Sequence, residues 1–205
     1  MSGPFRKQTI RDIDVHSGRR LLVRVDFNVP LKDGQVTDDS RIRAALPTIE
    51  SLREGGAALV LCSHLGRPKE PDPATSLAPA STRLSKLIGA PVQQAPAVVG
   101  DEVSAMAEAL EPGAVLVLEN TRWEAGETKN DPELAGRLAA LGDGFVGDAA
   151  VLQRHVEVDP HQEPAVRVDV DVADGLLAKA PRWARHAAAG AAVRTRWVRS
   201  ASRFE

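Results

Sequence analysis

From residue 20 to 148, short apolar runs alternate with longer stretches of helical periodicity. Residues 21–25, 57–62, 115–118 and 144–146, with a weaker segment at 92–94, show little polar alternation, which predicts strands covered on both faces. The intervals between them carry helix signals. Asp38-Asp39-Ser40 offers short side-chain oxygens to free backbone N–H groups, and Ile42, Leu46, Ile49 and Leu52 then share one face. Pro47 falls inside that helix and is expected to kink it, and Gly55-Gly56 closes it. Further helices are expected over 77–88 with Gly89 as the stop, over 101–110 before Pro112-Gly113, and over 132–141 before Gly142. Strands and helices in this alternation predict an α/β fold, a parallel sheet with helices on both faces. Residues 67–79, with four prolines before Ala80, read as an exposed loop.

Composition narrows the setting. A chain of 205 residues, 43% hydrophobic and 26% charged, is a globular protein of about one domain. No run approaches the roughly 20 apolar residues of a membrane helix. Met1-Ser2-Gly3-Pro4-Phe5-Arg6-Lys7 lacks the apolar centre of a signal peptide, so the cytoplasm is the expected compartment. The single cysteine, Cys62, excludes an internal disulfide and a Cys-rich metal site, and its place inside an apolar run makes it core. The net charge of -2 hides an asymmetry. Residues 1–174 hold 19 Lys and Arg against 27 Asp and Glu, whereas 175–205 hold seven against one. An acidic body argues against general nucleic-acid binding and aims any clustered cations at a specific small anion.

Polar groups gather where the apolar runs stop. Residues 21–25 lead into Asp26 and Asn28, 57–62 into Ser63, His64 and Arg67, and 115–118 into Arg122. In open α/β sheets the crevice outside the strand carboxyl ends is where ligands bind. Arg41, His64, Arg67 and Arg122 form the cationic set, and arginine forks grip carboxylate or phosphate in two places. Asp26 and Asn28 add acceptors for a hydroxyl, which arginines cannot supply. Together they suit a hydroxylated, phosphorylated acid. The competing reading is structural: Asp26 pairs with Arg41 or Arg122, Arg24 and Arg43 are solvated, and His64 is a hydrogen-bonded core residue, whereas Gly66 favours a tight backbone approach instead. There is no G-x-x-x-x-G-K-[ST] phosphate loop and no G-x-G-x-x-G strand-to-helix turn, and no clustered His/Cys set suggests a metal. Glu124, Glu127 and Asp131 read as a polar loop and helix start rather than a magnesium site.

Four motifs in order carry a resemblance. Asp26-Phe27-Asn28-Val29-Pro30, Asp38-Asp39-Ser40-Arg41-Ile42, Ser63-His64-Leu65-Gly66-Arg67-Pro68 and Leu118-Glu119-Asn120-Thr121-Arg122-Trp123 resemble the N-terminal, Rossmann-like domain of phosphoglycerate kinase. The resemblance implies a kinase of glycolysis, a phosphotransferase with a carboxyl group as acceptor. Its reaction is reversible phosphoryl transfer between 1,3-bisphosphoglycerate and ADP. It implies substrate binding, toward 3-phosphoglycerate or 1,3-bisphosphoglycerate, by Asp26, Phe27, Asn28, Arg41, His64, Leu65, Gly66, Arg67 and Arg122. It also makes Arg41 the candidate to stabilise the phosphoryl group in flight, and it implies a cytoplasmic monomer with no nucleic-acid or membrane partner. Mg-ATP or Mg-ADP is implied on a second domain for which this chain has no room, so binding without turnover is expected of it. A non-catalytic anion-binding or partner-binding α/β module is the alternative.

The resemblance runs from residue 5 to about 148, which divides the chain into a substrate-binding domain, 1–148, and a tail, 149–205. The family would continue Asn-Asp-Ala-Phe-Gly, where this chain reads Gly147-Asp148-Ala149-Ala150-Val151. Neither Arg154-His155 nor Arg185-His186 sits in a matching context, so neither receives a role. The tail is rich in Ala, Arg, Val and Pro, as when GC-rich DNA is read out of frame, and a frame change or truncation is the expectation. The alternating residues 166–172 predict an edge strand. Two further readings are a basic amphipathic helix over 176–193 and a metal held by His155, His161 and Asp169.

Overall fold

The computed structural model describes residue 15, residues 17–147 and the two-residue strand Asp169–Val170. Eight strands and four helices follow in chain order as β1 (Arg20–Arg24), β2 (Leu31–Lys32), β3 (Gln35–Val36), α1 (Ser40–Glu54), β4 (Ala58–Cys62), α2 (Ala78–Ile88), β5 (Val92–Gln94), α3 (Asp101–Glu108), β6 (Val115–Val117), α4 (Pro132–Ala139), β7 (Gly144–Gly147) and β8 (Asp169–Val170). Six strands form one sheet in the order β5-β6-β4-β1-β7-β8, parallel throughout except for the antiparallel pairing of β7 with β8. The sequence predicts an all-parallel sheet, and the one antiparallel pairing lies at its edge. β8 falls within the alternating residues 166–172. The basic helix over 176–193 and the His155, His161 and Asp169 metal reading lie outside the described residues.

Strand order explains why helices cover both faces. The chain moves across the sheet one way from β1 through β4 to β5, then returns through β6 to β7. Right-handed crossovers place helices on one face during the outward passage and on the other during the return. Side chains alternate accordingly. Leu21, Val23, Leu59, Leu61, Val115 and Val117 pack with Ile42, Ala45, Ile49 and Leu52 of α1 and with Ala80 and Leu84 of α2. Leu22, Val60, Cys62 and Leu116 pack with Val103 and Ala107 of α3 and with Leu134 and Leu138 of α4. The central strand β4 is buried along its whole length, whereas the edge strand β5 is not, which is why its sequence signal is weak.

Local signals set the helix ends. Asp38 Oδ1 accepts the Ser40 N–H at 2.8 Å at the start of α1, while Asp39, the residue in the cap position, gives its carboxylate to Arg43 and Arg83 instead. The helix continues through Pro47, which is exposed, so the backbone carbonyl left without its usual donor can turn to water. α2 stops at Gly89, whose φ of +62° is the left-handed conformation that ends helices. The hairpin of β2 and β3, which the strand pattern does not anticipate, turns on Asp33 and Gly34, both with positive φ.

Candidate functional site

Because β6, β4 and β1 are adjacent and parallel, the loops leaving their carboxyl ends, 118–123, 63–68 and 25–30, emerge side by side. The first of these begins by extending the ladder, the Val25 N–H donating to Cys62 O at 3.0 Å. It then turns, with Asp26 Oδ1 accepting the Asn28 N–H at 3.1 Å and Phe27 O accepting the Val29 N–H at 2.8 Å. Phe27, fully buried, anchors this loop in the core. Asp26 Oδ2 forms an ion pair with Arg41 on the first turn of α1.

Side chains stitch the loops together. Ser63 Oγ accepts the Phe27 N–H at 2.9 Å, and Asn28 Oδ1 accepts the Gly66 N–H at 2.9 Å. The sequence reading gives Asn28 to a substrate hydroxyl as an acceptor. That oxygen is already engaged by Gly66, which leaves Nδ2, a donor, as the unengaged end of the amide among the described residues. Gly66 has φ +64°, and a Cβ there would come no closer than 3.8 Å to Thr75 Cγ2. Backbone handedness, rather than the expected close approach, is what calls for glycine at this position.

The third loop is organised by Asn120, which is fully buried. Its Oδ1 accepts the N–H groups of Leu65 and Arg122, each at 3.1 Å. Its Nδ2 donates to Leu65 O at 2.7 Å and Thr75 O at 2.9 Å. Thr121 N–H donates to Ser63 O at 3.0 Å, and Trp123 Nε1 to Thr75 Oγ1 at 3.0 Å. The proline-rich segment 67–79 is therefore exposed only in part. It is tied down at Thr75 and at Ser76, whose hydroxyl donates to the buried Glu119 at 2.8 Å.

Charge converges on His64. Burial, together with the positive charges of Arg24, Arg122 and Arg41, pulls its pKa down to about 4, and Asp26 opposes them only in part. His64 is thus neutral near pH 7, a donor and acceptor rather than the cation expected from sequence. Asp26, Arg41, Arg122 and Arg24, the last of which the sequence reading leaves to solvent, are all close enough to act on the charge of His64. Arg122 sits 3.0 Å from Glu127 in an ion pair whose N–H direction misses the carboxylate, so its Nε lacks a true hydrogen bond. Arg67 is exposed on the β4 loop and has no ion-pair partner among the described residues.

Phe27 and Leu65 contribute no exposed side chain, and the backbone N–H groups of Phe27, Leu65 and Gly66 are all taken by neighbouring side chains. Their part in the arrangement is its shape. Burial raises the Cys62 thiol to about 11, so this cysteine is inert core, as the sequence suggests. Glu127 serves Arg122, and Asp131 Oδ1 accepts the Glu133 N–H at 3.2 Å as the cap of α4. Sequence reasoning passed over Ser63 and Asn120 as working residues. The available signal was their position, polar residues at the same strand ends as His64 and Arg122.

What the described residues define is an α/β domain with arginines collected at the carboxyl edge of a parallel sheet. The family model of phosphoglycerate kinase matches residues 10–156, and the chain belongs to that family. It is 54% identical over 146 residues to the phosphoglycerate kinase of Chloroherpeton thalassium, covering 71% of this chain and 36% of that protein. It is 56% identical over 149 residues to the one of Chloroflexus aurantiacus, covering 71% and 37%. Among solved structures, phosphoglycerate kinase from Coxiella burnetii matches with a TM-score of 0.61 at 39% identity, over 70% of this chain and 35% of that one. The enzyme from Pyrococcus horikoshii matches with a TM-score of 0.62 at 33% identity, over 68% and 36%. The chain thus spans a little over a third of the length of these relatives.

Proposed function

We propose that residues 1–148 form the part of a phosphoglycerate kinase that binds 3-phosphoglycerate or 1,3-bisphosphoglycerate, with Arg41, Arg67, Arg122 and the neutral His64 as its polar contacts. The observation that carries this reading is that adjacent parallel strand ends set the loops bearing Asp26, His64 and Arg122 side by side, with Arg41 paired to Asp26. Guanidinium groups on different strand ends suit the several oxygens of a phosphoacid, and Asp26 supplies the acceptor that a hydroxyl needs. Arg41 is the group we assign to stabilising the phosphoryl group during transfer, a role in which fixed positive charge acts without reorganising.

The family implies Mg-ATP or Mg-ADP. The carboxylates near the site do not fit a magnesium-bound nucleotide, since Asp26 is held by Arg41, Glu127 by Arg122, and Asp131 caps α4. For these 205 residues on their own we expect binding of the phosphoacid without turnover, in a cytoplasmic monomer acting on small molecules. Among the described residues no helix is long and apolar enough to cross a membrane.

Titration with 3-phosphoglycerate, followed by amide shifts, tests the reading. Shifts centred on Asp26, Arg41, His64 and Arg122 are expected. Arg41→Ala is expected to weaken binding by about 1–3 kcal/mol, the usual loss for a charged hydrogen-bonding partner. Absent shifts at those positions, or an affinity unchanged in the variant, would overturn it.

A further inference from the structure

Asn120 is the most completely used polar side chain in the site. Both acceptor positions of Oδ1 and both protons of Nδ2 are engaged, on Leu65, Arg122 and Thr75. Four bonds from one buried amide join three separate stretches of chain: the loop after β4, the 3₁₀ turn Pro73–Thr75, and the 3₁₀ turn Thr121–Trp123 that carries Arg122. None of those backbone groups belongs to a regular ladder. The position of His64 and Arg67 relative to Arg122 is thus set through this one side chain, seconded by the Thr121 N–H to Ser63 O bond.

We propose that Asn120 is a positioning residue for phosphoacid binding: it touches no ligand itself, but fixes the spacing between the His64–Arg67 loop and Arg122. The inference rests on the substrate-binding reading above. The chemistry requires an amide and tolerates no isostere. An aspartate of the same shape offers Leu65 N–H and Arg122 N–H their acceptor, yet turns a carboxylate oxygen toward the carbonyls of Leu65 and Thr75 in place of two donors. Buried acceptors facing acceptors repel, and the two arms are pushed apart. Protonating that aspartate restores one donor.

The test compares the 205-residue chain with Asn120→Asp and with Val103→Ala, a core change in α3 where Val103 is 1% exposed. Affinity for 3-phosphoglycerate is measured on the folded fraction, which circular dichroism reports, at about pH 7.5 and about pH 5.5. The expectation is an affinity about tenfold or more below the unaltered chain at the higher pH, the size set by losing buried hydrogen bonds. The ratio of variant to unaltered affinity is expected to recover in part at the lower pH. Val103→Ala is expected to lose stability and keep its affinity. If Asn120→Asp does not fold, Asn120→Ser, uncharged and smaller, carries the same comparison without the pH recovery. Affinity within twofold of the unaltered chain would overturn the positioning role, as would an equal loss in Val103→Ala. Failure of the unaltered chain to bind would instead overturn the substrate-binding reading, and the role of Asn120 with it.

Discussion

His64 shows how far a side chain's state depends on neighbours remote in sequence. By itself it reads as a cation beside arginines. In the folded chain Arg24, Arg122 and Arg41 surround it and burial strips its water, so the proton leaves and the pKa falls to about 4. The consequence for stability has a definite sign. Between the ordinary value near 6.5 and the folded value near 4, the unfolded chain binds the proton and the folded chain does not. Stability contributed by His64 is complete above about pH 6.5 and is lost as pH falls toward 4. Urea unfolding of His64→Gln is expected to lack about 1–3 kcal/mol of that decline, a figure discounted for partial exposure of the ring. Glu119 works in the other direction, since burial raises its pKa and favours the folded state at low pH. Comparing the two proteins at each pH cancels that contribution. A decline identical in both would mean that His64 titrates normally.

At the scale of elements, most of the arrangement is legible in the sequence because helix and strand signals are local. The four helices and the five parallel strands fall where apolar periodicity and caps put them; His64 and Arg122 stand out because each follows an apolar run, and Arg41 because it lies at a helix start. What was not legible is pairing between loops. Nothing near Asn28 says that its oxygen belongs to Gly66, and nothing near Asn120 points to Leu65 or Thr75, since those partners lie 38, 55 and 45 residues away. Gly66→Ala tests one such link. A left-handed residue with a Cβ costs about 1 kcal/mol, and the shift also draws the N–H from Asn28, so a modest fall in stability should accompany weaker phosphoacid binding. Pro47→Ala tests the opposite case, an element that tolerates a poor residue. Pro47 is exposed inside α1, and restoring its missing donor is expected to stabilise the chain by about 1–3 kcal/mol, read as a higher denaturant midpoint. An unchanged or lower midpoint would show that the proline is part of the packing.

For the whole molecule, the order of strands decides what the site is made of. Three neighbouring strand ends bring their loops together only because the chain winds outward across the sheet and back, a choice that no single segment records. The acidic body adds a second property at this scale. Arg41 is held by Asp26, Arg122 by Glu127, and Arg43 and Arg83 by Asp39, so much of the positive charge is neutralised before any ligand arrives. On the proposed reading, recognition at Arg41 is therefore an exchange of partners and not a simple attraction. A bare inorganic phosphate that claims Arg41 takes a donor from Asp26 and offers it none in return. A phosphoacid that also presents a hydroxyl hands Asp26 a new donor as it takes the guanidinium away. Selectivity for hydroxylated acids over the phosphate that surrounds them in solution then resides in what Asp26 receives in exchange for Arg41.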